Sequence, residues 1–598
     1  MRSALESTSP TNIIDFEDNG YHWRATAGLA ELLRSSPIDW FNLQAHENAV
    51  LVKRNSHRDV WHVSFGGKAY FAKVYHPHDA VRRAKLLLRG PTAVREWEVG
   101  HYAASQSVAT VAPVATALKG FRGTGGPSLL ITEAVPDVKP LNEYWLEIRQ
   151  DRHQSNLLTE SLAMLIARAH QCGFQHGDMH PGNILVRPVG RRGEALFVDL
   201  HNVRTGNSVS LREVIANLAQ LNQWFRRHST LSQRRRFLKY YFTYRDRYAQ
   251  ASEYARNYTF DPQKLVAQLS VRAEKHANAL WAKRDRRTRR TGRYFAQIRP
   301  APGWRGHAML KSKHPPPMAH ASKLSYSKKQ WEAWLADPMS WVDPNKHELI
   351  KDSHTATICK AMLPAEPNPV TVIVKRHLAR NPWKRLGQLL GPSRSMRAWR
   401  TANMLLNRDL PVAQPLVVME HYALGLARTD SMSFTDFIPD SVDLETFMTR
   451  DIAAIPAERQ RRVKDHLLTS TVRLLKMFHD RGFVHRDLKA PNLLVNWSPP
   501  YEGFPVLTFI DMDGIRHVRR SSPKQRTRAI VRLCVSLLGS PACTCSDRLR
   551  FLKSYLTGPG RTPARWKAIW REIHEQVCQK QRDKDHRRQW KLAHYGRE

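Results

Sequence analysis

Residues 174–186, FQHGDMHPGNILV, and residues 195–199, ALFVD, form the stretch of the chain that decides its fold. Two apolar runs flank a short polar segment rich in Gly, Pro and His, a pattern that predicts strand, tight loop and strand. The loop carries Asp178 and Asn183, and the second apolar run ends at Asp199. The stretch therefore brings two carboxylates and one amide close together.

The same pattern occurs a second time in the chain. Residues 483–495, FVHRDLKAPNLLV, and residues 506–511, VLTFID, carry Asp487, Asn492 and Asp511 at matching positions. An isolated Asp and Asn has little meaning, because Asp, Asn, Pro and Gly are all common in turns. The complete pattern of His, Asp, Asn, apolar run and second Asp is specific, and two copies in one chain strengthen it.

These residue types are the ones that phosphoryl transfer from ATP requires, so ATP and Mg²⁺ are the expected cofactors. We predict that Asp178 and Asp487 accept the hydroxyl proton of the acceptor. His176 and His485 are expected to fix the loops by hydrogen bonds. The predicted magnesium ligands are Asn183, Asp199, Asn492 and Asp511.

The repeat extends beyond the two loops and predicts a tandem duplication of one domain. A strand-like run carries Lys73 in the first copy and Lys375 in the second, and a helix follows a Gly-Pro step in both. R-E-W on the first helix becomes R-A-W on the second, so that Ala398 replaces Glu96 at the same spacing from the lysine. We predict that both lysines contact the ATP phosphates and that Glu96 orients Lys73, with Glu98 as an alternative.

Three further residues complete the predicted ATP-binding and catalytic set. Glu133 and Asp436 begin the connectors where adenine is expected to bind through backbone atoms, and Lys489 is close enough to the second catalytic Asp to contact the γ-phosphate. No G-x-G-x-x-G precedes either strand lysine, and the turns there read RNSHR (54–58) and KDSHTA (351–356). Such loops can still bind phosphates through backbone N–H groups.

The chain is strongly basic, with 94 Lys and Arg against 53 Asp and Glu and a net charge of +41. This excess favours an anionic partner, either an acidic membrane surface or nucleic acid. No recognised nucleic-acid motif is present, so nucleic acid is the less favoured partner. The arginine-rich runs 283–293 and 580–591 are expected either to bind anionic lipid or to be a solvated linker and tail.

The six cysteines are scattered without metal-ligand spacing, which predicts free thiols in a reducing compartment. No apolar run approaches the ~20 residues of a membrane span, and the N-terminus lacks a signal-peptide core. The sequence therefore predicts a cytoplasmic protein, peripheral at the inner face of the cytoplasmic membrane.

The repeat and the composition divide the chain into five predicted segments. They are a mobile N-terminus (1–20), a first domain (21–282), a basic, Pro-containing linker (283–325), a second domain (326–579) and a basic C-terminal tail (580–598). The boundary at the linker is open, because RYFAQI (293–298) also reads as a strand of the second copy.

The catalytic motifs resemble those of protein-kinase-like enzymes, and most closely those of the bacterial lipopolysaccharide core kinases that phosphorylate Kdo or heptose. The resemblance is carried by HGDMHPGN (176–183) with VDL (198–200), and by HRDLKAPN (485–492) with IDMD (510–513). It implies an α+β fold of two tandem bilobal domains, each with a small β-rich N-lobe and a larger helical C-lobe. It also implies Mg-ATP and, as acceptor, a sugar hydroxyl of a membrane glycolipid.

The sequence leaves three functions open. The favoured one is an ATP-dependent kinase that phosphorylates a sugar hydroxyl of an anionic glycolipid or lipopolysaccharide precursor. A protein Ser/Thr kinase is the alternative, although no A-P-E motif follows either metal Asp. A pseudokinase scaffold or basic binding protein is the alternative from another class. We expect the first half to be the more active, because Ala398 removes the Lys–Glu ion pair from the second.

Overall fold

The computed structural model describes residues 12–55, 57–76, 90–119, 126–190, 192–250, 262–312, 325–366, 368–377, 391–424, 427–497, 504–557 and 566–595. Contacts within the chain divide it into two compact units, residues 1–279 and 280–598. In the described part of each unit, a seven-stranded sheet comes before most of the helices.

The first unit has a sheet in the order β1-β2-β6-β7-β5-β4-β3, and smaller sheets that carry its catalytic loop. Its strands are β1 Ile13–Asp18, β2 Tyr21–Thr26, β3 Ala49–Asn55, β4 Arg58–Phe65, β5 Lys68–Tyr75, β6 Pro113–Lys119, β7 Ser128–Glu133, β8 Lys139–Pro140, β9 Gln175–His176, β10 Ile184–Val189, β11 Arg192–Phe197 and β12 Val203–Arg204. Its helices are α1 Ala27–Arg34, α2 Thr92–Ser105, α3 Leu141–Ile148, α4 Arg152–Gln171, α5 Leu211–His228, α6 Leu231–Gln250 and α7 Pro262–Arg287, the last of which continues past residue 279.

The second unit repeats this arrangement, with its sheet in the order β13-β14-β18-β19-β17-β16-β15. Its strands are β13 Phe295–Ile298, β14 Trp304–Met309, β15 Glu348–Ser353, β16 Ala356–Leu363, β17 Val370–His377, β18 Pro415–Ala423, β19 Ala427–Asp436, β20 Ser441–Asp443, β21 Phe483–His485, β22 Leu493–Asn496, β23 Val506–Phe509 and β24 Ile515–His517. Its helices are α8 Lys328–Trp334, α9 Arg394–Asn407, α10 Leu444–Thr449, α11 Ala457–Asp480, α12 Pro523–Ser536, α13 Cys545–Leu556 and α14 Trp566–Tyr595.

The alternation of side chains along β5 places the predicted ATP-binding lysine. Tyr70, Ala72 and Val74 point into the core of the sheet lobe and are buried, so Lys73 lies on the opposite face. β17 repeats the pattern, with Val372 and Val374 buried on either side of Ile373. The strand period therefore fixes which face of each sheet carries the lysine.

Helix α4 supports the first catalytic loop from behind. Its N-cap residue is Asp151, whose carboxylate accepts hydrogen bonds from the backbone N–H groups of His153 and Gln154. Its apolar residues at the helical period, Leu158, Leu162, Leu165 and Ala169, are all buried in the helical lobe. α11 has the same role in the second unit, where Val472 and Leu475 are buried.

The N-terminal boundary differs from the prediction of a mobile segment over residues 1–20. Residues 13–18 form β1, which pairs with β2 in antiparallel register. Phe16 alternates with polar residues, is buried, and stacks on Trp23 with ring centroids 6.0 Å apart. Because this pair closes one edge of the sheet, residues 13–20 belong to the first domain, and residues 1–11 lie outside the described part of the chain.

The predicted linker over residues 283–325 is also corrected, and β13 is the strand that the sequence left open over RYFAQI (293–298). β13 and β14 fall inside it and join the second sheet through β18, with Phe295, Ile298 and Trp304 buried. Their alternating apolar side chains supply the core of that lobe, so the second domain begins well before residue 326. The Pro run at 315–317 lies outside the described residues. The predicted tail is helical as far as Tyr595, because α14 continues through it.

Candidate active site

The first catalytic loop connects β9 to β10 and is fixed by His176. The Nε2 atom of this buried imidazole donates to the carbonyl of Val198 at 3.1 Å, and its Nδ1 atom accepts from the N–H of Asp178 at 3.2 Å. Burial lowers the pKa of His176, which keeps the ring neutral for this pair of roles. His176 therefore orients Asp178 through the backbone, as predicted for a structural histidine.

Asn183 closes the loop onto the predicted base. Its amide nitrogen donates to the backbone carbonyl of Asp178 at 2.9 Å, and its distance to that residue's carboxylate is 3.4 Å. The amide oxygen is then the atom that can serve as a ligand. His180 accepts from the N–H of Gly182 at 3.0 Å and so caps the short turn that follows Asp178.

A buried hydrogen-bond network behind this loop was not predicted. His170 contacts the hydroxyl of Tyr241 at 2.8 Å and the side-chain oxygen of Asn217 at 2.9 Å, and Asn217 donates to the carbonyl of His176 at 2.7 Å. Burial lowers the pKa of His170 to about 4. In the second unit, His479 contacts the hydroxyl of Tyr555 at 2.8 Å.

This network gives a role to a further repeated motif of the sequence, R-F-L-K-x-Y. The two copies of R-F-L-K-x-Y end at Tyr241 and Tyr555, the residues that contact the buried histidines. The motif is therefore the sequence signal for the support of the catalytic loop.

Lys73 and Glu96 form an ion pair, with Nζ 2.7 Å from Oε2. The other carboxylate oxygen of Glu96 accepts from the hydroxyl of Tyr75 at 2.6 Å, and Glu96 is only 2% exposed. Glu98 is exposed on the same helix. Of the two candidate glutamates, the structure therefore brings Glu96 to the lysine.

The carboxylate of Asp199 forms hydrogen bonds with the side chains of Arg58 and His201. Its backbone is left-handed, with φ of 62°. Arg58 donates from Nη1 to Oδ1 at 2.6 Å and from Nη2 to Oδ2 at 3.2 Å, and Nδ1 of His201 lies 2.8 Å from Oδ1. Burial opposes ionisation of Asp199, but the hydrogen bonds from His201 and Arg58 outweigh it and hold the pKa of the carboxyl well below its usual range.

Arg58 was not predicted as a site residue. It lies at the end of the turn RNSHR, and its side chain is 9% exposed. The residue at the same position in β16 of the second unit is Ala356. The two copies therefore differ in charge beside the second Asp.

The second catalytic loop repeats two backbone hydrogen bonds of the first. The N–H of Asp487 donates to Nδ1 of His485 at 3.2 Å, and the amide nitrogen of Asn492 donates to the carbonyl of Asp487 at 2.9 Å. Unlike Asp178, Asp487 is paired with two cations, Nζ of Lys489 at 2.8 Å and Nη1 of Arg532 at 3.3 Å. Burial opposes ionisation of Asp487, and these two cations nevertheless lower its pKa.

Lys375 has a different partner from Lys73. Its Nζ atom lies 2.9 Å from Oδ1 of Asp511, the predicted metal ligand. Ala398 occupies the helix position of the missing glutamate and lines a cleft together with Lys375 and Asp511. Asp511, like Asp199, is left-handed, with φ of 58°.

A cleft in the second unit brings most of the predicted residues of that copy together. Lys375, Asp436, Asn492 and Asp511 all line it, together with apolar side chains such as Phe434. The buried Asp436 donates through its N–H to the carbonyl of Gln414 at 2.9 Å. In the first unit, Glu133 is exposed and its N–H donates to the carbonyl of Ala112 at 3.0 Å.

The predicted ligand atoms have the chemistry that magnesium prefers. A carboxylate oxygen and an amide oxygen are hard donors, and each copy places one of each beside its catalytic loop. In the first unit, ligand atoms of Glu96, Asp199 and His201 also lie within 4.8 Å of one another. Glu96 and Asp199 are already paired with Lys73 and Arg58, so a cation there would replace an existing ion pair.

Comparison with known proteins decides the family. A profile of the lipopolysaccharide kinase (Kdo/WaaP) family matches residues 43–241 and 373–555, more than half of the chain. The chain belongs to the Kdo/WaaP lipopolysaccharide kinase family. The two matched regions lie in the two units, so the predicted family, the kinase activity and the α+β fold of two tandem kinase-like domains are confirmed.

A solved structure, "WaaP in complex with acyl carrier protein", is similar to part of this Kdo/WaaP family chain. The identity is 21%, the match covers 38% of this chain and 87% of that chain, and the TM-score is 0.30. No curated protein sequence matches the chain.

The Lys73–Glu96 ion pair gives a prediction for nucleotide binding by the first half. In a chain whose second half is silenced by Asp487→Ala, we expect Glu96→Gln to raise KM for ATP about tenfold, because a hydrogen bond between charged groups contributes at that scale. Steady-state kinetics with varied ATP would measure it. The exposed neighbour Glu98→Gln is the matched control, and an equal rise for both variants would contradict the assignment.

Proposed function

We propose that the chain transfers the γ-phosphate of ATP to a sugar hydroxyl of an anionic glycolipid of the lipopolysaccharide-precursor class. The observation that supports this most directly is the convergence of Lys375, Asn492 and Asp511 on one cleft, in a chain of the Kdo/WaaP family. Lys375 and its counterpart Lys73 bind the ATP phosphates, while Asp178 and Asp487 take the proton from the attacking hydroxyl.

Asn183 with Asp199, and Asn492 with Asp511, would hold magnesium, which would supply positive charge beside the ATP phosphates when bound. The chain's own residues position the reactants. His176 and His485 fix the backbone of the two bases, and the network of His170 connects the first loop to the helical lobe through Asn217. This support keeps each base in one orientation, which is the main contribution of a protein to phosphoryl transfer.

The charges around Asp487 support an anionic acceptor. Lys489 and Arg532 both contact its carboxylate. Two cations on one carboxylate leave a net positive charge, which a phosphate or carboxylate on the acceptor would neutralise.

We further propose that the first half is the more active one. Its lysine is paired with Glu96 at 2.7 Å, whereas Lys375 in the second half is paired with the metal-ligand position Asp511. The proposed location is the inner face of the cytoplasmic membrane. None of the described helices is long and apolar enough to cross a membrane.

Transfer of labelled phosphate separates this proposal from its alternatives. The full-length chain would be incubated with γ-labelled ATP, magnesium, a bacterial lipid extract and a mixture of soluble proteins, and the label in each fraction measured. Label in glycolipid supports the proposal. Label in protein would identify a Ser/Thr kinase, and label in neither would identify a non-catalytic binding protein.

Arg532 provides a test of the acceptor's charge. In a chain with Asp178→Ala, we expect Arg532→Gln to raise KM for the glycolipid about three- to tenfold and to leave KM for ATP unchanged, because a half-exposed charge contributes about 1 kcal/mol. Gln is the residue at the matching position of the first half, Gln220. Arg526→Gln, on the same helix but paired with Asp480, is the matched control. A change confined to KM for ATP would argue against an acceptor role.

A further inference from the structure

At two neighbouring positions the two halves carry different side chains, and the carboxylate lies at one position in the first half and at the other in the second. α2 and α9 are equivalent helices, so Glu96 corresponds to Ala398, and the turns after Asp199 and Asp511 are equivalent, so His201 corresponds to Asp513. In the first half these positions face each other, with Nδ1 of His201 3.8 Å from Oε1 of Glu96. The second half thus lacks the carboxylate on the helix and carries one on the facing turn.

The position of Asp513 agrees with this difference between the halves. It lines the same cleft as Lys375 and Ala398, and its side chain is 28% exposed. The side chain two residues after the strand lysine is near the carboxylate in both halves. Tyr75, two residues after Lys73, donates to Glu96. His377, two residues after Lys375, is buried with its Nε2 atom 3.9 Å from Oδ2 of Asp513.

The present partner of Lys375 cannot serve throughout the proposed reaction. Asp511 is the carboxylate that holds magnesium in that proposal, and a carboxylate that coordinates a metal through its oxygens is a poorer ion-pair partner for a lysine. Among the described residues that line the cleft, the other carboxylates are Asp436 and Asp513. Asp436 stands opposite Val372, three residues away from Lys375 along β17. Asp409, which follows α9, is not among the described residues that line this cleft.

We propose that Asp513 is the positioning residue for Lys375 and replaces, from the turn, the glutamate that the helix has lost. The inference rests on the proposed ATP-dependent function. It assigns the second half a complete set of groups for phosphate binding, with the carboxylate supplied by a different element. The second half is then a working site that depends on Asp513.

The test uses the full-length chain with Asp178→Ala, so that turnover reports the second half. Asp513→Asn is expected to raise KM for ATP about tenfold and to leave KM for the glycolipid unchanged, because a hydrogen bond between charged groups is lost. Adding Ala398→Glu to Asp513→Asn is expected to recover most of the loss, since it returns a carboxylate to the helix. Asp409→Asn is the matched control and is expected to have no effect.

Two results would overturn the inference. One is an unchanged KM for ATP in Asp513→Asn, and the other is a loss that Ala398→Glu does not repair. If the chain with Asp178→Ala turns over no ATP, the proposed activity of the second half fails. The affinity for ADP, measured by thermal stabilisation, then decides on Asp513 by itself. Weaker ADP binding in Asp513→Asn supports the assignment, and unchanged binding refutes it.

Discussion

Replacing both Asp178 and Asp487 by Ala is expected to abolish phosphate transfer by the full-length chain, and the single replacements are expected to divide the activity unequally. A general base contributes about 10²- to 10⁴-fold, so each variant should silence its own half. We expect Asp178→Ala to remove most of the activity and Asp487→Ala to remove less, because Lys73 is already paired with Glu96, whereas Lys375 is paired with Asp511 and must exchange this partner before it can bind phosphate. Initial rates of label transfer to glycolipid at saturating ATP would measure both.

Binding of ATP separates loss of catalysis from loss of structure in these variants. Neither base contacts a strand lysine in the structure, so the affinity for ATP should remain close to that of the unchanged chain. Asp246→Ala, an exposed site on α6, is a matched control for the substitution itself. The proposed order of the halves is wrong if Asp487→Ala removes most of the transfer and Asp178→Ala removes little.

The parts of the site that the sequence predicted are local in the chain. Asp178 and Asn183 share one loop, and their hydrogen bond at 2.9 Å follows from their spacing. Lys73 and Glu96 were predictable because a strand followed by a helix places them on facing elements, and the repeat gave the same spacing twice. The catalytic pattern occurs in both halves, and two copies support a kinase-like site more strongly than one copy would.

The site residues that the sequence did not predict contact partners that lie far away along the chain. Arg58 and Asp199 are 141 residues apart, and their contact depends on the register of β4 against β5. Asn217 lies 47 residues after its partner His170, on a different helix. Neither side chain belongs to a motif of the catalytic loop, so their roles follow only from the tertiary structure. The sequence predicts a mobile segment at β1 and a linker at β14, and it leaves a strand over RYFAQI (293–298), the site of β13, open, because short strands beside polar or basic runs have a weak pattern.

The C-terminal helix presents a basic surface. Over residues 580–591, α14 carries six Lys and Arg against two Asp, and most of its side chains there are exposed. Trp590 is 48% exposed and Leu592 45% exposed, and aromatic and apolar residues beside basic ones are typical of helices that lie at a membrane interface. This combination favours the hypothesis that the basic run binds anionic lipid over the hypothesis that it is a solvated tail.

Neutralising part of this surface is therefore expected to release the chain from acidic membranes. The triple variant Arg582→Gln, Lys584→Gln and Arg587→Gln should weaken partitioning onto vesicles that contain phosphatidylglycerol by about a hundredfold, since each basic residue near the surface contributes about 1 kcal/mol. Added salt should weaken binding of the unchanged chain as well, because exposed charges are screened over ~8 Å at physiological ionic strength. Co-sedimentation with phosphatidylcholine vesicles, with and without the acidic lipid, would measure both effects.

The matched control is a second triple variant, which removes three exposed charges elsewhere in the second unit: Lys328→Gln, Lys329→Gln and Lys346→Gln. An equal loss in the two triple variants would show that net charge alone governs binding, and equal binding to both kinds of vesicle would remove the electrostatic argument altogether.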